Sequence, residues 1–252
     1  MCKHLRIWLF ALLATLLASN TLLAQGVITM TTSKAVGETI LLRVVANGNV
    51  SIEGALETGE MNEDGFKFYT IKSQTITIRG DVTELDCNEN QLTSLNVSKN
   101  TALTSLECSY NQLTSLDVSK NTALEELDCF SNQLTSLDVS KNTALEVLNC
   151  FSNQLTSLEV SKNTALTTLS CNDNKLTNLN MSGCANLMVI NCSNNYINGK
   201  AMTKLVNSLP NRRGMYCGTI FLVDSSSKKS DKNRCSAADV TTAKRKNWKV
   251  RQ

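Results

Sequence analysis

A 21-residue unit recurs without insertion through the middle of the 252-residue chain. One copy reads LDCFSNQLTSLDVSKNTALEV, and the next copy, LNCFSNQLTSLEVSKNTALTT, changes only a few letters. Six copies align, the last diverging after INCSNNYINGKAM, and they begin at Leu85, Leu106, Leu127, Leu148, Leu169 and Ile190. A fixed period of this length is the signature of a solenoid, in which each repeat forms one coil.

The constant letters of the unit describe one coil. With the first Leu as position 1, apolar residues at positions 1 and 3 alternate with polar ones, which predicts a short strand with one buried side. Stacked coils would place these strands in a parallel sheet, about 4.8 Å apart. Positions 8, 11, 13 and 19 supply further core residues, and SKNT at positions 14–17 is predicted to be a solvated outer turn. Since no copy contains a helical stripe, we expect mostly turns or short 3₁₀ pieces on the convex side.

Asparagine occupies position 6 of every copy. Its amide has two donor hydrogens and an acceptor, so it can satisfy backbone groups left unpaired where the chain leaves the strand and turns inward. We therefore predict a structural asparagine ladder, formed by Asn90, Asn111, Asn132, Asn153, Asn174 and Asn195.

Cysteine occupies position 3 of every copy, at Cys87, Cys108, Cys129, Cys150, Cys171 and Cys192. Zinc ligands cluster in motifs such as CxxC, whereas these cysteines are 21 residues apart. Neighbouring in-register side chains also point the same way, which is poor geometry for a disulfide. We interpret them as a ladder of compact buried side chains. Cys217 and Cys235 lie outside this ladder, and the sequence allows either a disulfide between them or two free thiols.

The stretch from Leu124 to Leu134 fits the pattern L-x-x-L-x-L-x-x-N-x-L, with Cys129 in one Leu place. The chain thus resembles the leucine-rich repeat family, and the wording LxCxxNQLTSLDVSKNTAL is similar to the cysteine-bearing repeats of bacterial internalin-type surface proteins. This resemblance implies a leucine-rich repeat solenoid with a parallel β-sheet on its concave face. It also implies a non-enzymatic role in recognising a protein or a glycan outside the cell.

The flanking regions differ from the repeats. Residues 1–24 combine a short basic start with an apolar run too short to span a bilayer, which predicts a signal peptide cleaved after Ala24, export, and no stable membrane insertion. Residues 25–84 are predicted to form a β-rich N-terminal cap with one degenerate coil, 85–198 the repeats, and 199–252 an α/β C-terminal cap in which Trp248 packs internally. This last segment carries 13 basic and 3 acidic residues. We interpret its charge as a solvated terminal face, and we expect no nucleic-acid partner.

The only histidine, His4, lies within the predicted signal peptide. A mature chain without histidine cannot form His-dependent triads, Cys–His dyads or His-containing zinc sites. The acidic residues of the repeats form surface rows, whereas paired catalytic carboxylates need a cleft. We therefore expect no enzymatic activity, no cofactor and no bound metal. We also expect a monomer.

The letters that vary between copies are concentrated at positions 21, 2, 4 and 5. Strand alternation is predicted to direct positions 21, 2 and 4 onto the concave face, which would run from acidic in the first coils to aromatic in the middle and neutral polar at the end. Adjacent exposed aromatic side chains favour a partner that covers them; drift between duplicated copies is the alternative explanation. The candidate partner-binding residues are Asp86, Glu107, Tyr110, Glu126, Asp128, Phe130 and Phe151.

Three functions fit these patterns. The preferred hypothesis is protein recognition, on a host cell or another cell surface, through the concave face. A carbohydrate-binding module would instead use Tyr110, Phe130 and Phe151 as sugar platforms. A structural periplasmic protein would have no dedicated ligand.

Overall fold

The computed structural model describes residues 26–224 and 231–251. The predicted signal peptide lies outside the described residues. Within these residues two β-sheets and two helices surround one continuous hydrophobic core.

The central part of the chain is a stack of coils, each of which contributes one short strand to a parallel sheet. These strands are β9 (Ser105–Glu107), β10 (Glu126–Asp128), β11 (Val147–Asn149), β12 (Thr168–Ser170) and β13 (Val189–Asn191). Neighbouring strands pair in register, so that Leu127 faces Leu106 on one side and Leu148 on the other. This register holds because no repeat contains an insertion.

The repeated apolar letters fill the inside of every coil. In one coil Leu127, Cys129, Leu134, Val139 and Leu145 are all fully buried. Residues 108–188 contain turns and no helix on the side away from the sheet. The predicted leucine-rich repeat fold is therefore confirmed.

Eight strands precede β9: β1 (Val27–Thr32), β2 (Thr39–Ala46), β3 (Ser51–Glu53), β4 (Ala55–Met61), β5 (Lys67–Ile71), β6 (Thr75–Arg79), β7 (Val82–Asp86) and β8 (Leu92–Asn96). Strand β7 pairs in parallel with β9 and antiparallel with β2. Strand β8, on the convex side of the first coil, pairs with β1 in a second sheet of order β3-β6-β1-β8. The N-terminal region thus extends both sides of the first coil.

The C-terminal region contains α1 (Gly199–Ser208), β14 (Gly218–Phe221), α2 (Ala237–Arg245) and β15 (Trp248–Arg251). Both strands continue the parallel sheet, because Ile190 pairs with Ile220 and Ile220 with Val250. Equivalent residues are here 30 apart, since each convex segment now includes a helix. The large sheet has eleven strands in the order β15-β14-β13-β12-β11-β10-β9-β7-β2-β5-β4.

Local signals explain where these helices begin and end. A capping box between Ser236 and Asp239 starts α2, and Pro210 follows soon after the end of α1. Trp248 is 2 % exposed and donates its indole N–H to the carbonyl of Pro210 at 2.9 Å, which confirms it as a packing residue. In the described part of the chain, neither helix has the length and apolar character needed to cross a membrane.

Candidate functional site: the concave sheet and its carboxyl edge

The chain turns sharply at position 5 of each coil, where φ is positive in all six copies. In the aromatic coils φ is 53° at Tyr110, 52° at Ser131 and 52° at Ser152. The left-handed conformation costs an L-residue about 1–2 kcal/mol. Hydrogen bonds to the next coil help to offset this cost: the N–H of Ser131, for example, donates to the carbonyl of Phe151 at 3.0 Å. This turn follows the strand, which ends at position 2, and position 4 is the last residue before the turn.

The asparagine at position 6 follows this turn and points into the core. Asn132 is 8 % exposed, and its amide donates to the carbonyls of Cys108, Cys129 and Phe130, at 2.9, 3.2 and 3.4 Å. Its Oδ1 accepts the N–H of Leu113 at 3.0 Å. From Asn111 onwards each such asparagine thus joins its own coil to the preceding one, whereas the amide of Asn90 in the first coil exchanges hydrogen bonds with the backbone of Leu41 in β2. The buried asparagines give the contacts expected of a ladder.

The six position-3 cysteines lie in the core with no exposed surface. Burial raises the pKa of the Cys150 and Cys192 thiols to about 12. A thiol with so high a pKa stays protonated at neutral pH, so it is a poor nucleophile. Within residues 26–224 and 231–251 all cysteines are free thiols, with Cys217 exposed and Cys235 half-buried, and no group of three or more His, Cys, Asp or Glu side chains could hold a metal ion.

A second asparagine ladder on the convex side was not predicted. The SKNT segment was expected to be solvated, but its asparagine at position 16 is fully buried in all four coils that contain it. The amide of Asn142, for example, donates to the carbonyls of Val118 and Asn121, at 3.0 and 2.8 Å. In the last 21-residue coil Cys184 takes this place, and its thiol donates to the carbonyl of Val160 at 3.2 Å. The recurrence of Asn at the same place in SKNT is the sequence feature that could have predicted this second ladder.

Three aromatic side chains form a continuous row at the carboxyl end of β9, β10 and β11. The rings of Phe130 and Phe151 are stacked, with centroids 4.3 Å apart and planes at 9°. The ring of Tyr110 meets Phe130 edge to face at 5.0 Å and 81°. Tyr110 is 55 % exposed, and both Phe side chains are half-buried. The in-register coils bring these rings together.

Carboxylates border this row on the sheet. Glu126 and Asp128 lie on β10, and the amide of Asn149 donates a hydrogen bond to Asp128. Burial, together with repulsion from Glu126 and Glu107, raises the pKa of Asp128 to about 6, against the opposing effect of the Asn149 hydrogen bond. Glu126 makes no ion pair with a described residue. It is therefore the carboxylate best placed to meet a cation on a partner.

The first coils offer a partner fewer accessible, unpaired carboxylates than the sequence predicts. Asp86 was expected to be an exposed concave carboxylate, but it is only 5 % exposed, because β2 pairs with its strand and places Arg43 opposite it. Burial raises the pKa of Asp86 to about 6. Arg43 also forms ion pairs with Glu84 and Glu107, at 3.2 and 3.4 Å. Asp86 is therefore inaccessible to a partner, and two of its neighbours are already paired.

The concave face extends further towards the C-terminus than the repeats indicated. The residues of β14 and β15 that align with positions 21 and 2 are Thr219, Phe221, Lys249 and Arg251. Asn233 explains why the period was lost, because its amide donates to the carbonyls of Cys192 and Leu222, both at 2.8 Å, and its Oδ1 accepts the N–H of Ile197 at 2.8 Å. It makes the contacts of a position-6 asparagine, but it lies 13 residues after Ile220 instead of five.

Comparison with known proteins agrees with this architecture. The family model for leucine-rich repeats, in two copies, matches residues 122–163. The functional domain of InlJ from Listeria monocytogenes, described as including a cysteine ladder, is 33 % identical with a TM-score of 0.52; the match covers 65 % of this chain and 33 % of that chain. The chain therefore spans about one third of the InlJ domain's length.

Two further solved structures are similar at lower levels. A leucine-rich repeat protein of Leptospira interrogans is 20 % identical with a TM-score of 0.46, over 62 % of this chain and 44 % of that one. An internalin, InlF of Listeria monocytogenes, is 18 % identical with a TM-score of 0.43, over 68 % and 56 %. No curated protein matches the sequence. From its in-register coils and its buried cysteine column, the repeat region of this chain is a leucine-rich repeat solenoid, and it is similar to the InlJ domain that includes a cysteine ladder.

Proposed function

We propose that this protein is an exported, non-enzymatic binding module that recognises a protein partner through the concave face. The observation that carries the proposal is the row Tyr110–Phe130–Phe151, in which three rings joined by two contacts remain partly open to solvent. Aromatic side chains supply most of the energy of many interfaces, because they bury a large area at low entropic cost. A rigid row of them, held by coils on either side, is preorganised for such a contact.

The charges beside the rings favour a partner with a basic side chain next to an apolar one. Glu126 forms no ion pair with a described residue, and it lies on the same strand as Asp128. A Lys or Arg of the partner would meet these carboxylates while its apolar neighbour covers the Phe130–Phe151 stack. Rim charges of this kind mainly accelerate association, whereas the buried aromatic contact sets the lifetime of the complex.

A pull-down from host-cell and bacterial surface extracts tests the proposal. We expect Phe130→Ala with Phe151→Ala to abolish capture of the partner bound by the unsubstituted protein, with little change in melting temperature. Glu126→Gln with Asp128→Asn should slow association and weaken its dependence on salt. The matched control on the convex side is Lys120→Ala with Lys141→Ala, which should change neither. Loss of capture in this control, with capture retained by the double Phe variant, would show that the concave face is not the binding surface.

The stacked rings also support a second candidate function. The stacked rings of Phe130 and Phe151 are nearly parallel, at 9°, and offer apolar surface of the kind that sugar rings contact. A glycan array distinguishes the two functions. Selective glycan binding that is lost in the double Phe variant would favour carbohydrate recognition, and no binding to any glycan would favour the protein partner.

A further inference from the structure

A second exposed apolar cluster lies at the opposite edge of the sheet, where β13 and β14 begin. Tyr216 is 87 % exposed, Met215 61 % and Met188 42 %. The aromatic row lies beyond the carboxyl ends of β9, β10 and β11. In contrast, Met188 directly precedes β13, and Met215 and Tyr216 precede β14. The cluster is therefore separate from the candidate concave site.

A buried arginine holds this cluster in place. Arg212 is 5 % exposed, and its side chain donates to the carbonyl of Leu187 at 2.7 Å and to that of Tyr216 at 2.9 Å. Its guanidinium also lies over the ring of Trp248, 6.0 Å from the ring centroid. These contacts tie the Tyr216 loop to the residue before Met188. The apolar side chains thus project from an anchored loop.

Basic side chains adjoin the same loop. Arg213 donates to the carbonyl of Arg245 at 2.7 Å, and the amide of Asn247 donates to the carbonyl of Met215 at 3.0 Å. These bonds fix the loop against the last turn of α2, which carries Lys244 and Arg245. Both side chains are exposed, as is that of Arg213.

The described acidic residues after position 198 lie away from this loop. Asp239 caps the opposite end of α2. Asp231 is 7 % exposed and accepts the backbone N–H groups of Asn194 and Asp224, beyond the carboxyl ends of β13 and β14. The described side chains of the loop and of the last turn of α2 therefore carry only basic charges, beside an exposed apolar tip.

We propose that this surface, consisting of Met188, Arg213, Met215, Tyr216, Lys244 and Arg245, binds peripherally to the surface of an anionic lipid bilayer. Tyr and Met can enter the interfacial layer, where an aromatic ring has an apolar body and a polar end. Arg and Lys around them meet the negative headgroups. A protruding tip suits a deformable lipid surface, since a rigid protein partner would need a pocket to receive Tyr216.

Sedimentation with lipid vesicles tests the proposal. The protein beginning at Gln25, which contains every described residue but lacks the apolar leader, is mixed with vesicles of phosphatidylcholine alone or with an equal part of phosphatidylglycerol. We expect partition to the anionic vesicles to be roughly tenfold stronger or more, and to weaken as salt is added. Binding to neither vesicle, or to both equally, overturns the proposal.

Matched variants locate the contact. Met215→Ser with Tyr216→Ser, and separately Lys244→Gln with Arg245→Gln, should each lower vesicle binding by roughly fivefold or more. The controls are Tyr196→Ser, another tyrosine that is 47 % exposed, and Lys141→Gln with Lys162→Gln, which removes the same charge from the convex side. Controls that reduce binding as much as the test variants overturn the proposal, as does binding to soluble polyphosphate without binding to anionic vesicles. Melting temperatures of all variants verify that they are folded.

Discussion

The 21-residue coils and the two 30-residue coils share one half of their structure and differ in the other. On the concave side β7 and β9 to β15 pair in register in one parallel array, while β8 belongs to the second sheet. Asn132 in a short coil and Asn233 in a long one both donate to carbonyls of their own coil and of the preceding one. On the convex side the short coils have turns and the long coils have α1 or α2.

This difference shows which part of a coil is constrained by its neighbours. On the sheet side a strand and an inward asparagine must meet the adjacent coil at a fixed spacing, because backbone hydrogen bonds allow no other. On the convex side nine extra residues are accommodated, since a helix satisfies its own backbone groups. The two regions also carry different surfaces, one aromatic and acidic, the other apolar and basic.

The largest expected effect tests whether the buried asparagine that follows the strand stabilises both kinds of coil equally. Asn132→Ala and Asn233→Ala should each lower the free energy of unfolding by about 1–3 kcal/mol, because each leaves buried backbone groups without a partner. Urea denaturation followed by circular dichroism measures both. The exposed control Lys141→Ala should stay within about 0.5 kcal/mol of the unsubstituted protein. A harmless Asn233→Ala would show that the long coils close by another means.

The acidic half should make stability depend on pH in an unusual direction. An unfolded aspartate has a pKa of about 3.9, while Asp86 and Asp128 have a folded pKa of about 6. The folded state therefore binds protons more strongly, so stability should fall as pH rises from 4 to 6 and level off above about 7. Asp128→Asn should raise stability at pH 7.5 by about 1 kcal/mol and flatten this dependence.

Thermal unfolding at several pH values measures this effect. The control is Asp138→Asn, since Asp138 is exposed and a hydrogen bond from Ser140 lowers its pKa. That variant should leave the fall in stability between pH 4 and 6 unchanged. A stability that rises throughout this range in the unsubstituted protein would contradict the burial of the two aspartates.

The last 21-residue coil, directly before the 30-residue coils, offers another test by substitution. Cys184→Asn restores the residue that occupies position 16 in the other short coils. The new amide should donate to the carbonyls of Val160 and Asn163, as Asn163 does to Val139 and Asn142. We expect a gain of about 0.5–1.5 kcal/mol for the added hydrogen bond, measured as an increase in melting temperature. A loss of stability would show that the convex ladder ends before this coil.

The smallest expected effect concerns the left-handed residue at position 5 of each coil. Ser131 has φ at 52°, so Ser131→Gly relieves the strain of a left-handed residue, although glycine also has more freedom to lose on folding. We expect a net stabilisation of about 0.5 kcal/mol. Asn194→Gly is the matched control with φ at 53°; asparagine tolerates this conformation, so its substitution should have almost no effect. Equal gains at both positions would contradict this explanation.

The short coils were predictable because every constant letter of the repeat has one physical task. Leu127 and Cys129 alternate into the core, Asn132 closes the corner, and the fixed period sets the register. The stacking of Phe130 on Phe151 follows from that register alone, since equivalent residues must lie one strand apart. Periodicity was less informative about SKNT, where the polar letter Asn142 appeared solvated although its amide completes hydrogen bonds inside the coil.

By itself the sequence determined the solenoid, the cysteine column and the corner asparagines, because these depend on contacts between identical neighbours. Only the tertiary structure decided what happens at the two ends. There β2 places Arg43 opposite Asp86 and removes that carboxylate from the surface, and Asn233 restores the ladder after an interrupted period. Both outcomes depend on contacts between segments that are distant in sequence and not repeated, so a local sequence pattern could not predict them.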